Sequence, residues 1–278
     1  MHAYKQGLTA TITAIKKHRL LFSVLLVLQI LFFFVLAFNG LRYQVKILSY
    51  AQEISTLVAE ADLDPEQLQA GVPPLEEALP LYAAYDAMQE ILLTLLWTSL
   101  VIFLGFTSVL WVGVQQLINP LPSIKKNLLL LGARWLKYVL LTTLFLGLFF
   151  GSQFFLFKES ILPNAALPKA VFILPLGFYY FFLVSLAFIY LPWKELLRKA
   201  GTCALKKAQY TLPAFLLLLF VIAGSGYGTL KLIEAGKAPF FIILSGLLVL
   251  ALLLLTKIWW IATLQIVGHH ESRPEHSP

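Results

Sequence analysis

Charged residues are scarce in this chain of 278 residues, at 13% against 59% hydrophobic residues. A soluble domain carries about 25% charged residues. A chain of this length cannot bury so much apolar surface within its own fold, so lipid must be the solvent for much of it. The composition therefore predicts an integral membrane protein and excludes an ordinary water-soluble domain.

Cysteine is almost absent, because Cys203 is the single one in the sequence. This excludes an internal disulfide and any multi-cysteine metal site. The sequence also shows no Ser/His/Asp set, paired-carboxylate set or phosphate loop, and the His269-His270-Glu271 tail has no fixed geometry for a metal ion. We therefore expect no enzymatic activity, no cofactor and no metal site. The histidines all lie near the chain ends: His2, His18, His269, His270 and His276.

Six apolar stretches are long enough to cross a hydrocarbon core ~30 Å thick. No charge lies in the middle of any stretch, which argues against an ion-coupled pump. Gln29 and Gln153 are the strongly polar residues there, and we expect them to form hydrogen bonds between helices. The predicted fold class is an all-α polytopic membrane protein with spans at 20–39, 91–112, 138–157, 170–191, 212–232 and 239–267.

The segments between the spans differ in charge. Residues 41–90 carry nine acids against Arg42 and Lys46, a local net charge of −7, and their apolar spacing predicts a helical hairpin at 40–90. Segments 1–19, 113–137 and 192–211 are basic, and we expect amphipathic helices at the headgroup layer. In the last of these the predicted apolar face is Leu197, Gly201, Ala204 and Ala208, and the tail is 268–278.

The cations set an orientation. If the N-terminus is inside, the inner segments hold thirteen Lys and Arg residues and the short outer loops hold four, Lys158, Lys169, Lys231 and Lys237. This bias predicts cytoplasmic N- and C-termini and an extracytoplasmic acidic hairpin. Labelling of Cys203 by an impermeant maleimide in inverted vesicles, but not in intact cells, would test this topology.

Three Lys-Lys pairs recur in the motifs Ala14-Ile15-Lys16-Lys17, Ser123-Ile124-Lys125-Lys126 and Ala204-Leu205-Lys206-Lys207. Each precedes two apolar spans, so the chain reads either as three repeated units or as positive-inside selection alone. Such cations can bind anionic lipid at about 1 kcal/mol each. The candidate headgroup contacts are Lys16, Lys17, Lys125, Lys126, Arg198, Lys199, Lys206 and Lys207.

Two Gly-x-x-x-Gly motifs lie in the spans, at Gly147 and Gly151 and at Gly224 and Gly228. Glycines one turn apart allow close approach of another helix, so we predict helix packing at all four. The second motif contains Gly-Tyr-Gly, as potassium filters do, but it lacks the preceding re-entrant helix that such a filter needs.

The arrangement of Lys-Lys helices and paired spans resembles a broad group of uncharacterised prokaryotic six-span membrane proteins. It is also similar to the membrane-anchor part of some glycerophosphodiester phosphodiesterases. The resemblance implies a plasma-membrane location and no catalytic residues in this chain.

Two functions fit these expectations. The first is a non-enzymatic membrane subunit or organiser, with anionic lipids at the inner basic helices and a protein partner at the outer hairpin. The alternative is a permease or channel for a small or lipid-like solute. The basic total of +7 lies in clusters beside apolar spans, which favours a membrane over nucleic acid as the partner.

Overall fold

A computed structural model describes residues 2–60, 79–120, 128–159, 167–236 and 238–269. These residues form helices joined by short turns and contain no strand, which confirms the all-α prediction for this part of the chain. A five-residue π-turn, Thr202–Lys206, separates two of the helices. The eight α-helices are α1 His2–Lys17, α2 Arg19–Glu60, α3 Leu79–Ile118, α4 Leu128–Glu159, α5 Leu167–Ala187, α6 Trp193–Gly201, α7 Ala208–Glu234 and α8 Pro239–His269.

Five of these helices are long and apolar enough to cross a membrane. At most 22% of each apolar window is buried, so the described residues leave most of that surface uncovered. The predicted fourth span corresponds to α5, whose described apolar stretch, Pro175–Ala187, is shorter. A sixth span and the threefold repeat therefore stay predictions. The five stretches are Arg19–Leu57, Pro80–Ile118, Leu128–Ser152, Ala208–Glu234 and Phe240–Gly268.

The chain divides into two compact units, residues 1–30 with 107–278, and residues 31–106. In the first unit α8 is central, because α1, α5, α7 and the π-turn all contact it. Trp260 on α8 is fully buried, and its ring lies 6.2 Å from that of Phe215 on α7. The indole of Trp260 also donates to the Leu183 carbonyl of α5 at 3.1 Å, which joins three helices at one residue.

The second unit pairs parts of α2 and α3. Asn39 donates to Thr98 and Ser99 at 3.1 Å each, and the rings of Phe32 and Phe103 lie 6.3 Å apart. Helix α2 continues without a break for 42 residues to Glu60, so the first part of the hairpin predicted at 40–90 is helical. Residues 61–78 of that hairpin lie outside the described residues.

Helix α1 packs against α8, and its small residues lie in this contact. Gly7 and Thr11 are buried, whereas the large apolar residues Leu8 and Ile12 are about half exposed, at 53% and 46%. A Cβ atom at Gly7 would collide with Thr263, so glycine is required for this approach. Helix α1 therefore packs against α8 through small residues rather than through large apolar ones.

Helix α5 ends at Ala187, four residues before the predicted end of the fourth span. Residues 188–191 form turns in which Phe188 N–H donates to Ser185 and Leu191 N–H donates to Phe188. Pro192 then precedes α6, whose first helical residue is Trp193. Proline has no N–H and disfavours helical geometry in the residue before it, so the helix cannot continue through Leu191 and Pro192.

The predicted apolar face of the basic segment 192–211 is wrong in part. Ala204 is buried, but Leu197 is 52% exposed, and Leu196, Ala200 and Cys203 are the residues that enter the core. Leu196 and Leu197 are equally apolar, so spacing alone cannot choose between the two registers. The π-turn adds a further rotation, because Lys207 N–H bonds to the Thr202 carbonyl five residues earlier.

Candidate functional site

The predicted headgroup cations lie in three places. Lys16 and Lys17 end α1 and are exposed, and Lys125 and Lys126 lie outside the described residues. Arg198 and Lys199 lie in the last turn of α6, and Lys206 is exposed in the π-turn. Lys16, Lys17, Arg198 and Lys206 therefore have side chains available to bind an anion.

The side chain of Lys207 binds the C-terminal end of α8. Its Nζ donates to the Val267 carbonyl at 2.6 Å, near the end of α8. The last carbonyls of a helix lack intrahelical donors, and a cation there also interacts favourably with the helix dipole. Lys207 thus fixes the π-turn to the end of α8 as well as adding positive charge.

Lys137 and Arg134 on α4 contact the break after α5 and a side chain of α3. Lys137 Nζ donates to the Leu191 carbonyl in the break after α5 at 2.6 Å, and Arg134 donates to Gln116 at 3.5 Å. The sequence reasoning assigned these cations to topology alone. Their spacing of three residues on a basic helix was the only signal for a shared role.

A buried glutamine cluster closes the end of α5. Gln115 of α3 donates to the carbonyls of Leu186 and Ala187, at 2.9 and 3.1 Å. Gln265 of α8 donates to the Ala187 carbonyl at 3.2 Å and to Gln115 Oε1 at 3.4 Å. The sequence reasoning missed both glutamines, although each lies near the end of an apolar span.

Gln29 confirms the predicted hydrogen bond between helices, because its amide donates to the Leu250 carbonyl of α8 at 2.8 Å. The side chain of Gln153 lies outside the described part of the chain. The hydrogen bonds of Gln29 to α8 and of Gln265 on α8 to Gln115 and Ala187 join α8 to helices far away in sequence, which is a packing role.

The π-turn is held by Tyr180 and Thr211. The Tyr180 hydroxyl donates to the Ala204 carbonyl at 3.1 Å and lies 2.5 Å from the Thr211 hydroxyl, which in turn reaches the Cys203 carbonyl at 3.0 Å. These hydroxyl groups therefore donate to two carbonyl oxygens of the irregular turn. Cys203 itself is only 1% exposed, so the labelling test suggested by the sequence would fail for lack of access.

The predicted packing glycines do not contact other helices within the described chain. A Cβ atom at Gly147, Gly151, Gly224 or Gly228 would meet no described atom within 4 Å. Close approaches occur instead at Gly7, at Gly113 against Leu25, and at Gly268 against Phe188 and Cys203. Packing at the predicted four against another chain stays a prediction.

A basic cavity of about 650 Å³ lies between α1 and the C-terminal end of α3. Lys5, Lys17 and His18 supply its basic nitrogen atoms, and none of its described lining residues is a carboxylate. Among the described residues His18 Nε2 has no hydrogen-bond partner although it is buried. The remaining lining residues are Gln6, Thr9, Ala10, Thr13, Ala14, Leu117, Ile118 and Pro120.

Two tyrosines outside the apolar stretches have shifted pKa values. Burial raises the pKa of Tyr190, against a smaller opposing effect of Arg134. Burial also raises the pKa of Tyr4, and Tyr210 adds to the shift. Because each pKa rises above the ordinary value of about 10, both phenols stay neutral near pH 7. Tyr4 donates to the Tyr210 carbonyl at 2.5 Å.

Within the described residues no group of three or more His, Cys, Asp or Glu side chains could hold a metal ion. Residues 270–278, which contain most of the histidine tail, lie outside that part. The chain matches no protein-family model, no curated protein and no solved structure. The arrangement of side chains is therefore the basis for a function.

Proposed function

We propose that this chain is a non-enzymatic integral membrane protein that acts as a membrane subunit or organiser. Its place would be a prokaryotic plasma membrane, with both termini in the cytoplasm and the α2–α3 pair outside. Five long apolar helices support membrane insertion. At 1.5 Å per residue α2 is about 63 Å long, roughly twice the hydrocarbon thickness. The observation that carries the proposal is this unbroken continuation of α2 beyond a single crossing.

The continuation of α2 has an apolar stripe that the described residues do not cover. Phe38, Leu41, Val45 and Leu48 recur at intervals of three and four, so they lie on one helix face, and each is more than half exposed. Such spacing fits an apolar helix of a second membrane protein. The net charge of −7 over residues 41–90 favours a partner with a basic surface.

The test is co-purification in mild detergent with a paired variant and control. Val45→Lys with Leu48→Lys adds two cations to the stripe, whereas Gln44→Lys with Ala51→Lys adds two at exposed positions of the same helix that lie off the stripe. We expect a stoichiometric protein partner with the native chain and with this control pair. We expect at least about a tenfold loss with the stripe pair.

A native chain that purifies alone would contradict the subunit proposal. If that lone protein also carried solute flux in proteoliposomes, the permease or channel alternative would replace it. Equal loss of partner with both variant pairs would show that charge, rather than the apolar stripe, controls the contact.

A further inference from the structure

We propose that the basic cavity binds the phosphate of an anionic phospholipid, whose acyl chain lies in a neighbouring groove between α2, α3 and α4. The inference rests on the proposed membrane insertion. It names residues that charge patterning alone does not assign, since Lys5 and His18 are absent from the Lys-Lys pairs.

The cavity has the chemistry of an anion site. Lys5 and Lys17 supply two ammonium groups, and His18 Nε2 is a buried nitrogen with no partner in the described structure. Gln6, Thr9 and Thr13 add amide and hydroxyl groups that can bind phosphate or glycerol oxygens. A volume of about 650 Å³ is in the range that accepts a small-molecule headgroup.

The groove has the chemistry of an acyl-chain site. It encloses about 420 Å³, and its apolar lining includes Leu21, Val109, Val112, Leu131 and Trp135. Gly132 also lines it and leaves its centre open, because a Cβ atom there would meet no described atom within 4 Å. An apolar groove on a membrane-facing surface is filled by hydrocarbon when the protein is in a bilayer.

The order of the two sites along the helices matches the order of parts in a phospholipid. His18, in the turn before α2, precedes the groove residue Leu21 by three residues, and on α3 the cavity residue Leu117 follows the groove residues Val109 and Val112. The groove therefore lies farther from the C-terminal end of α3 than the cavity does. A free phosphate ion would use the first part alone.

The headgroup arm of the test uses detergent micelles with equal phosphatidylglycerol and phosphatidylcholine, and lipid mass spectrometry of the purified protein. We expect enrichment of phosphatidylglycerol with the native chain. Lys5→Gln combined with Lys17→Gln and His18→Ala should reduce this enrichment by about tenfold or more. The matched control removes two exposed cations elsewhere, with Lys46→Gln and Lys194→Gln, and should retain it.

The acyl arm fills the groove without changing charge. Gly132→Leu should reduce the enrichment of phosphatidylglycerol, whereas Gly147→Leu, at an open position of the same helix, should leave it unchanged. Inorganic phosphate distinguishes the source of the anion. If phosphate alone stabilises the native chain and neither lipid is enriched, the cavity is a free-phosphate site and the proposal is overturned.

Equal losses with the cavity and control variants would overturn the proposal in favour of diffuse electrostatic attraction. Extraction of the chain from membranes by alkaline carbonate is scored separately. Release by carbonate contradicts membrane insertion itself, whereas a chain that stays inserted but shows no enrichment contradicts the lipid site alone.

Discussion

The carbonyl of Ala187 ends a helix inside the protein, where water cannot reach it. Gln115 and Gln265 both donate to it, and Gln115 also reaches Leu186. A buried acceptor left without a donor costs about 1–3 kcal/mol. Two glutamines from different helices therefore allow α5 to stop where it does.

Replacement of Gln115 by Leu tests this role. The change leaves the Leu186 carbonyl without its glutamine donor and removes one of two donors to Ala187. We expect a loss of about 1–3 kcal/mol in the free energy of unfolding. Thermal melting in detergent measures it, with Gln52→Leu, at an exposed position of α2, as the control. Equal melting temperatures would show that the cluster does not stabilise the break.

This cluster could not be predicted from the sequence because its members are far apart in the chain. Gln115 lies 71 residues from Leu186 and 150 residues from Gln265. Gln29 was predictable as an interhelical donor because a lone amide in an apolar span needs some partner. The identity of that partner, the Leu250 carbonyl, depends on the fold.

At the scale of elements, α1 illustrates how small residues determine packing. Its helical form was predictable from apolar spacing, but its buried face was not, because the hydrophobic pattern ignores glycine and threonine. Gly7 and Thr11 face α8, and Trp259 donates to the Tyr4 carbonyl at 3.4 Å beside them. The buried face of α1 is therefore set by close approach of its backbone to α8 rather than by the amount of apolar surface.

Gly7→Ala is the sharpest probe of this contact. Alanine in a helix interior favours folding by about 1 kcal/mol over glycine, yet at Gly7 the added methyl collides with Thr263. We expect a lower melting temperature and faster trypsin cleavage at Lys16 and Lys17. Gly40→Ala, in an open helical position, should be neutral or stabilising. If trypsin cleaves neither variant faster than the native chain, the packing of α1 against α8 through Gly7 is contradicted.

At the scale of the whole molecule, the open question is whether α5 crosses the bilayer. Its 21 residues span about 32 Å at 1.5 Å each, which is close to the hydrocarbon thickness, yet its described apolar stretch is only 13 residues. The sequence could predict six apolar segments. It could not predict the early end at Ala187, which depends on distant donors.

Two exposed cysteines, introduced separately with Cys203 replaced by Ala, decide the number of crossings. Tyr82 on α3 is 60% exposed and Leu205 in the π-turn is 76% exposed, so cysteine at either position is accessible to a maleimide. If α3, α4 and α5 all cross, an impermeant maleimide labels Tyr82→Cys in intact cells and Leu205→Cys only in inverted vesicles. This is the result that we expect from the distribution of cations. If α5 does not cross, two crossings separate the positions, and both are labelled from the same side. The native Cys203, at 1% exposure, should remain unlabelled from either side and serves as the control.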